Sequence, residues 1–216
     1  PYIDRLESFR VQSSETGVLM IISGDIDAQF RRVPQGDYAL LKKFADQQNY
    51  RITRWEEGTA AYYAVFINWS PEDPERRELF RNKWFRRGLS HAINRERLNQ
   101  VVWHGLSRPQ NAAITDESWH FDSPRSEKVR EEWINSFVEF DPELAREYLE
   151  RAGLTEFDAE GYRMFKGEPF QIVLETFDDP IAVDESQMIQ EDWRNVGIRV
   201  YTRRSTSTDI SRRIRE

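Results

Sequence analysis

The sequence contains no cysteine among its 216 residues, which excludes a disulfide framework and any thiolate metal site and leaves the redox compartment open. No apolar run approaches the roughly 18 residues of a membrane-spanning helix. No basic leader followed by an apolar stretch stands at the start. Glycine is scarce, at 10 residues, and neither G-x-G-x-x-G nor G-x-x-x-x-G-K occurs. Nucleotide chemistry is therefore unsupported, because those loops are what bring backbone amides close to phosphates. There is no internal repeat and no low-complexity segment. The chain starts at Pro1 without a Met and stops in Arg-rich residues 209–216, where a further helix begins, so it reads as a piece of a longer protein.

What is present suits a globular α/β domain. Hydrophobic residues make up 38% of the chain and aromatic residues 13%, enough for a core, and the length fits one compact domain over residues 1–216 with excursions. Charged residues reach 32% and the net charge is -7. That balance makes nucleic acid a poor partner.

Residues 6–12 alternate apolar and polar side chains and read as a strand. Ser13 or Ser14 then caps a short helix carrying Val18, Leu19, Ile21 and Ile22, stopped by Gly24. A second helix follows Pro34, with Tyr38, Leu41, Phe44 and Ala45 on one face. Residues 50–55 and 60–68 read as neighbouring strands. Residues 80–93 place Trp84, Phe85, Leu89 and Ile93 at helical spacing, and 95–103 continue as another helix. Periodicity is poor over 107–140, a long irregular connection in which 128–137 could form a turn or two of helix, and such connections are more often functional or mobile than structural. Asp141 and Pro142 open a clear helix with Leu144, Ala145, Tyr148 and Leu149 on its apolar face, stopped by Gly153. Residues 162–166 and 169–177 pair as a hairpin across Gly167. A helix from Asp184 through Trp193 to Val196 and a strand at 198–202 complete the order. Strands alternating with helices imply an α/β layer structure, a mixed β-sheet flanked by helices.

A search for catalytic groups returns nothing that holds together. His91, His104 and His120 lack the i, i+4 spacing of a helical zinc site, and a hydrogen-bonded or solvent-facing role is the ordinary reading of each. The acidic turn Asp178-Asp179 has no second acidic segment at metal-binding spacing, and the Arg pairs have 38 acidic residues available as partners. No cofactor and no metal is expected, and the chain does not read as an enzyme. The seven Trp are more suggestive, since Trp69, Trp103 and Trp119 lie at element ends or in loops, where a ring walls a ligand as readily as it plugs a core.

Two stretches carry a resemblance: Tyr62-Tyr63-Ala64-Val65-Phe66-Ile67-Asn68, and Phe85-Arg86-Arg87-Gly88-Leu89-Ser90-His91-Ala92-Ile93-Asn94-Arg95-Glu96-Arg97-Leu98. They resemble the family 5 extracellular solute-binding proteins, the oligopeptide- and dipeptide-binding class of ABC importers, where a strand ending in Phe-x-Asn precedes a helix of the form R-x-A-L-x-x-A-I-D-R-E. Gly88 stands here for the usual Ala and Asn94 for the usual Asp. Residues 14–27, with Ser23-Gly24-Asp25-Ile26-Asp27, are similar to a further element of that family. So are residues 140–153 and 187–200, in the same order.

The resemblance implies most of the second, inserted lobe of a type II-like periplasmic binding protein. It implies a solute held between two lobes, a peptide by family default although members also take sugars, opines and nickel complexes. The implied partners are the first lobe of the same protein and the permease subunits of an ABC transporter, in an extracytoplasmic setting. The first lobe, the signal sequence and the acidic segment that holds the peptide amino terminus in peptide binders are expected outside this chain.

Ligands of open α/β sheets gather beyond the carboxyl ends of the strands. That rule directs attention to Asn68 and Trp69, to Phe177, Asp178 and Asp179, and to a turn at Arg203 and Arg204, with Trp119 as an aromatic wall. The competing class is a protein-interaction module with no small ligand, using its Trp and Arg residues as the docking surface.

Overall fold

The computed structural model describes residues 2–31, 33, 35–54, 61, 63–111, 115 and 118–215. They fall into two compact units, Pro1–Glu57 and Gly58–Glu216.

In the first unit, Ser13 caps α1 (Ser14–Ser23) by accepting a hydrogen bond from the Thr16 amide at 3.2 Å, and Gly24 ends it in the left-handed region at φ 78°. The second helix, α2 (Tyr38–Ala45), follows a 3-10 turn. Val18, Leu41 and Ala45 form its small core, and the Tyr50 hydroxyl donates to the Leu41 carbonyl. Residues 6–12 form no strand, and Leu6 and Phe9 are exposed. Alternation alone does not make a strand, because its backbone groups need a partner edge, and among the described residues none is offered.

The second unit is organised by polar residues that stop one helix and start another. Asp73 caps α3 (Pro74–Arg81), its carboxylate accepting from the Glu75 amide at 2.9 Å. Asn82 ends α3 and caps α4 (Lys83–His91), accepting from the Trp84 amide at 2.9 Å. The helix expected over 80–93 is thus two helices bent at Asn82. Asn94 caps α5 (Arg95–Val102) through the Arg97 amide. Within the stretch read as irregular, Ser123 and Ser126 form a reciprocal cap for α6 (Pro124–Ile134). Asp141, Pro142 and Gly153 bound α7 (Pro142–Arg151) at the positions read from the sequence.

Among the described residues the named strands form one antiparallel and one parallel pair. β1 (Met164–Phe165) and β2 (Glu168–Pro169) join through Lys166 and Gly167, whose φ of 53° and 79° are both positive, as a two-residue I′ turn requires. The expected hairpin ends there. After Pro169 the chain changes partner, and β3 (Gln171–Phe177) pairs in parallel with β4 (Arg199–Ser205), in register from Gln171 opposite Arg199 to Phe177 opposite Ser205. A parallel pair needs a crossover, supplied by α8 (Pro180–Asn195), which begins four residues earlier than the sequence reading placed it because Asp179 caps it. α9 (Ser207–Arg215) follows. The strands expected at 50–55 and 60–68 form no ladder among their described residues, and residues 55–60 and 62 lie outside them.

Ile172, Leu174 and Val200 of the parallel pair meet Ile189 and Trp193 of α8 and Val196 at its end in a core that extends to Leu79, Phe85, Leu89, Ala145 and Leu149. Tyr63, Val65 and Ile67 pack against it, from a segment that forms no ladder among its described residues. Trp193 is buried and donates its Nε1 hydrogen to the Leu89 carbonyl at 2.9 Å, tying α8 to α4.

The departure at Gly88 has a steric cause. A Cβ there would lie 2.9 Å from Leu149 Cγ and 3.0 Å from the Ala145 carbonyl oxygen, so α4 and α7 approach at a point where only glycine fits. Gly88→Ala is expected to destabilise by about 1–3 kcal/mol through overpacking, read as a lower urea midpoint with the slope unchanged.

Candidate solute-facing site at the strand ends

Because β3 and β4 are parallel and in register, their carboxyl ends lie together. The register sets Arg203 opposite Glu175, Arg204 opposite Thr176 and Ser205 opposite Phe177, and the Asp178 amide donates to the Ser205 carbonyl at 3.1 Å. Five of the positions singled out from sequence thus lie at one end of the strand pair, although Arg203 and Arg204 belong to the end of a strand and not to a turn.

Their chemistry is unequal. Asp179 is engaged as the cap of α8, accepting from the Ala182 amide at 3.2 Å. Asp178 is exposed, and among the described residues its carboxylate has no hydrogen bond or ion pair. Arg203 approaches Glu175 at 3.7 Å. Glu175 also receives Arg213 of α9 at 2.9 Å and the Ser205 hydroxyl. Arg204 is exposed at the register position of Thr176. Phe177 presents a half-exposed ring at the rim.

Asn68 and Trp69 lie elsewhere. The Asn68 side chain accepts from the Ser70 amide at 2.9 Å, closing a turn. The Trp69 carbonyl accepts from Arg81 Nε at 2.8 Å, and the Arg86 guanidinium stacks 4.7 Å from the Trp69 ring centre. Both residues are therefore held at the corner between α3 and α4. Arg76 of α3 donates to the Gln171 carbonyl, at the amino end of β3. Trp119 is 74% exposed on a 3-10 turn that packs with α6, its ring stacked 3.9 Å from His120.

The sequence reading missed the group behind this end. Glu185 of α8 is 3% exposed. Its Oε1 accepts from Trp103 Nε1 at 2.7 Å, while Oε2 is buried without a hydrogen-bond partner among the described residues. Burial pushes its carboxyl up to about 7, opposed by the Trp103 hydrogen bond and reinforced by the charge of Asp179. Tyr63 faces the same cluster: burial raises its hydroxyl, which hydrogen-bonds Thr176 and feels Glu185. Thr176 Oγ1 in turn donates to the Ala182 carbonyl at 3.0 Å. The signal was available, since helical spacing from Ala182 and Ile189 puts Glu185 on the buried face of α8.

The motif residues of the resemblance hold the scaffold. His91 is buried with Nδ1 2.9 Å from the Glu139 carbonyl. Arg95, brought down to about 10 by burial, donates to the Ser90 carbonyl and hydroxyl and to the Val138 carbonyl. Arg97 pairs with Asp192 at 2.7 Å. No group of three or more metal-ligating side chains occurs among the described residues, and none of the described helices is long and apolar enough to cross a membrane.

The capping and free carboxylates separate by mutation. Asp179→Ala is expected to cost about 1 kcal/mol of stability as a lost cap, and Asp178→Ala to stay within about 0.5 kcal/mol of the parent. Urea unfolding of both variants reads the difference.

The unit β3–α8–β4 is a βαβ crossover of the α/β class, with exposed polar residues at its strand ends. The family model for bacterial extracellular solute-binding proteins, family 5 Middle, matches residues 1–215, and the chain belongs to that family. It is 26% identical over 203 residues to the oligopeptide-binding protein AppA of Bacillus subtilis (strain 168), covering 94% of this chain and 34% of that protein. The solved structure of an oligopeptide-binding protein, OppA, superposes with a TM-score of 0.70 at 28% identity, covering 94% of this chain and 32% of that one. The AppA structure, in complex with a nonapeptide, superposes at 0.66 with 21% identity over 94% of this chain and 36% of that one, a likeness of fold. The chain spans about a third of the length of these relatives.

Proposed function

We propose that this chain forms most of one lobe, residues 1–216, of the substrate-binding component of an ABC importer. That component captures a peptide between two lobes outside the cytoplasm and delivers it to membrane permease subunits. The observation that carries this reading is the family match over residues 1–215, with similarity to two oligopeptide-binding proteins. Coverage of about a third of those proteins supports a second lobe of the same polypeptide as the other wall of the site. The strand-end rim of Phe177, Asp178, Asp179, Arg203 and Arg204 is this lobe's contribution, with Asp178 receiving cationic groups and Arg204 anionic ones. Asn68, Trp69 and Trp119 belong to this wall only if lobe closure brings them to the solute.

One lobe alone offers half of the buried surface and half of the polar partners a ligand needs, so its own affinity is expected to be small. The test is a thermal-shift screen of the full-length protein against short peptides, oligosaccharides and metal chelates. A raised midpoint with peptides, abolished when the partner lobe is deleted, is the expected result. No shift with any of the three classes would sink the reading.

A further inference from the structure

We propose that the open face of the β3–β4 pair, centred on Val173 and Tyr201, is a docking face for a segment of the same polypeptide that lies outside residues 1–216. This rests on the reading of the chain as one lobe of a longer protein.

Side chains of a strand alternate between the two faces of its sheet. On one face of the pair, Ile172, Leu174 and Val200 are buried in the core with α8. On the other, the register sets Gln171 beside Arg199, Val173 beside Tyr201, Glu175 beside Arg203 and Phe177 beside Ser205. Val173, Phe177 and Tyr201 are 48%, 48% and 47% exposed. Parallel strands occur almost only with both faces covered, because their crossovers lay helices on each side. The crossover α8 covers one side, and a two-stranded pair open on the other is an incomplete layer.

The polar groups of the open face are already engaged within the lobe. Arg199 pairs with Asp158 at 2.6 Å and Glu160 at 3.0 Å. Glu175 takes Arg213 of α9 at 2.9 Å and the Ser205 hydroxyl, and Arg213 also donates to Ser205 at 3.1 Å. The helix α9 thus reaches the carboxyl end of this face, while Val173 and Tyr201 stay half exposed farther along the strands. What remains open is apolar, and it suits the apolar stripe of a helix better than a charged ligand.

The size of the patch selects the occupant. An aromatic side chain carries about 150–250 Å², so three half-exposed side chains offer on the order of 300 Å². A stable complex of two proteins buries roughly 800 Å² per partner, which disfavours a second copy or a separate protein here. A segment of the same polypeptide needs less area, because tethering gives it a high effective concentration. The chain spans about a third of the length of its relatives, which leaves room for such a segment. Laid on this face, it clamps from the side opposite α8 the two strands whose ends carry Phe177, Arg203 and Arg204.

The test uses the full-length protein with Tyr201 replaced by p-benzoylphenylalanine, an aromatic of similar shape that cross-links to its neighbours under near-ultraviolet light. Mass spectrometry of the digest is expected to find the cross-link on a peptide of the same molecule outside residues 1–216. A second measurement uses the absence of cysteine from this chain. In the full-length protein, Val173→Cys should react with a maleimide about ten-fold more slowly than Arg5→Cys, each read against the parent, because a covered site reacts only on opening.

A cross-link to residues 1–216, to a second copy or to another protein overturns the proposal, as does the absence of any cross-link. Equal labelling of the two cysteine variants overturns it as well. If peptides raise the unfolding midpoint of a protein that gives no such cross-link, solute capture stands and the docking face is lost. If the cross-link falls outside residues 1–216 and no solute binds, the docking face stands and the capture reading fails.

Discussion

Arg163→Met is expected to lower the unfolding free energy by about 3–5 kcal/mol, on the scale of removing one member of a buried charged network. The Arg163 side chain is 1% exposed. Its Nε donates to the Val196 carbonyl at 2.9 Å and its Nη1 to the Leu154 carbonyl, while Nη2 lies 3.6 Å from Glu150. Val196 caps the end of α8, and Leu154 lies just past the end of α7. One guanidinium therefore satisfies carbonyls at the negative ends of two helices, where cations are favoured and orphan acceptors are otherwise costly. Methionine fills much of the volume and leaves both acceptors buried and unpaired. Arg163→Lys should fall between, because an ammonium reaches fewer of the three partners in fixed geometry. Arg5→Ala, which removes a surface pair with Glu7, should cost under about 0.5 kcal/mol. Equal urea midpoints for the Arg163 and Arg5 variants would refute the stapling role.

Stability is expected to fall as pH rises from about 4.5 to about 7. The Glu185 carboxyl is raised from 4.5 to about 7 by burial. Between those values the folded chain keeps a proton that the unfolded chain has released, so each step up in pH favours unfolding. Below 4.5 both states are protonated and the contribution is complete. Above 7 both are ionised and the loss is complete, amounting to at most about 3 kcal/mol. Asp192, also raised by burial against the pull of Arg97, adds to the slope with the same sign. Glu185→Gln keeps an oxygen for Trp103 and carries no charge, so it should match the parent at pH 5, exceed it at pH 8 and flatten the profile. Urea unfolding across pH 4.5 to 8 reads this directly, and a variant with the parent's slope would remove Glu185 as its source.

The two predictions turn on residues that differ in how far the sequence reveals them. Glu185 sits at a position of α8 that helical spacing marks as buried, so its unusual chemistry is open to inference. Arg163 sits in a stretch that reads as strand, and nothing local shows that its side chain reaches the ends of two helices. The candidate site residues divide in the same way. Phe177, Asp178, Asp179, Arg203 and Arg204 follow from placing strand ends, and they share one end of the pair because β3 and β4 are parallel. Asn68 and Trp69 follow from the same rule, but their segment forms no ladder among the described residues, and α3 and α4 hold them apart from that rim.

The sequence by itself determined what local chemistry controls. Ser13, Asp141, Pro142 and Gly153 bound helices because capping is settled within a few residues, and Lys166-Gly167 forms the turn because two positive φ angles suffice. The order of motifs also carried the family. Only the tertiary structure decided that β3 leaves its hairpin neighbour for β4, that Gly88 is set by the approach of α7, and that a carboxyl on α8 closes behind the strand ends. Each of these depends on groups far apart in the chain, and their energies arise from burial and contacts that exist only once the elements pack.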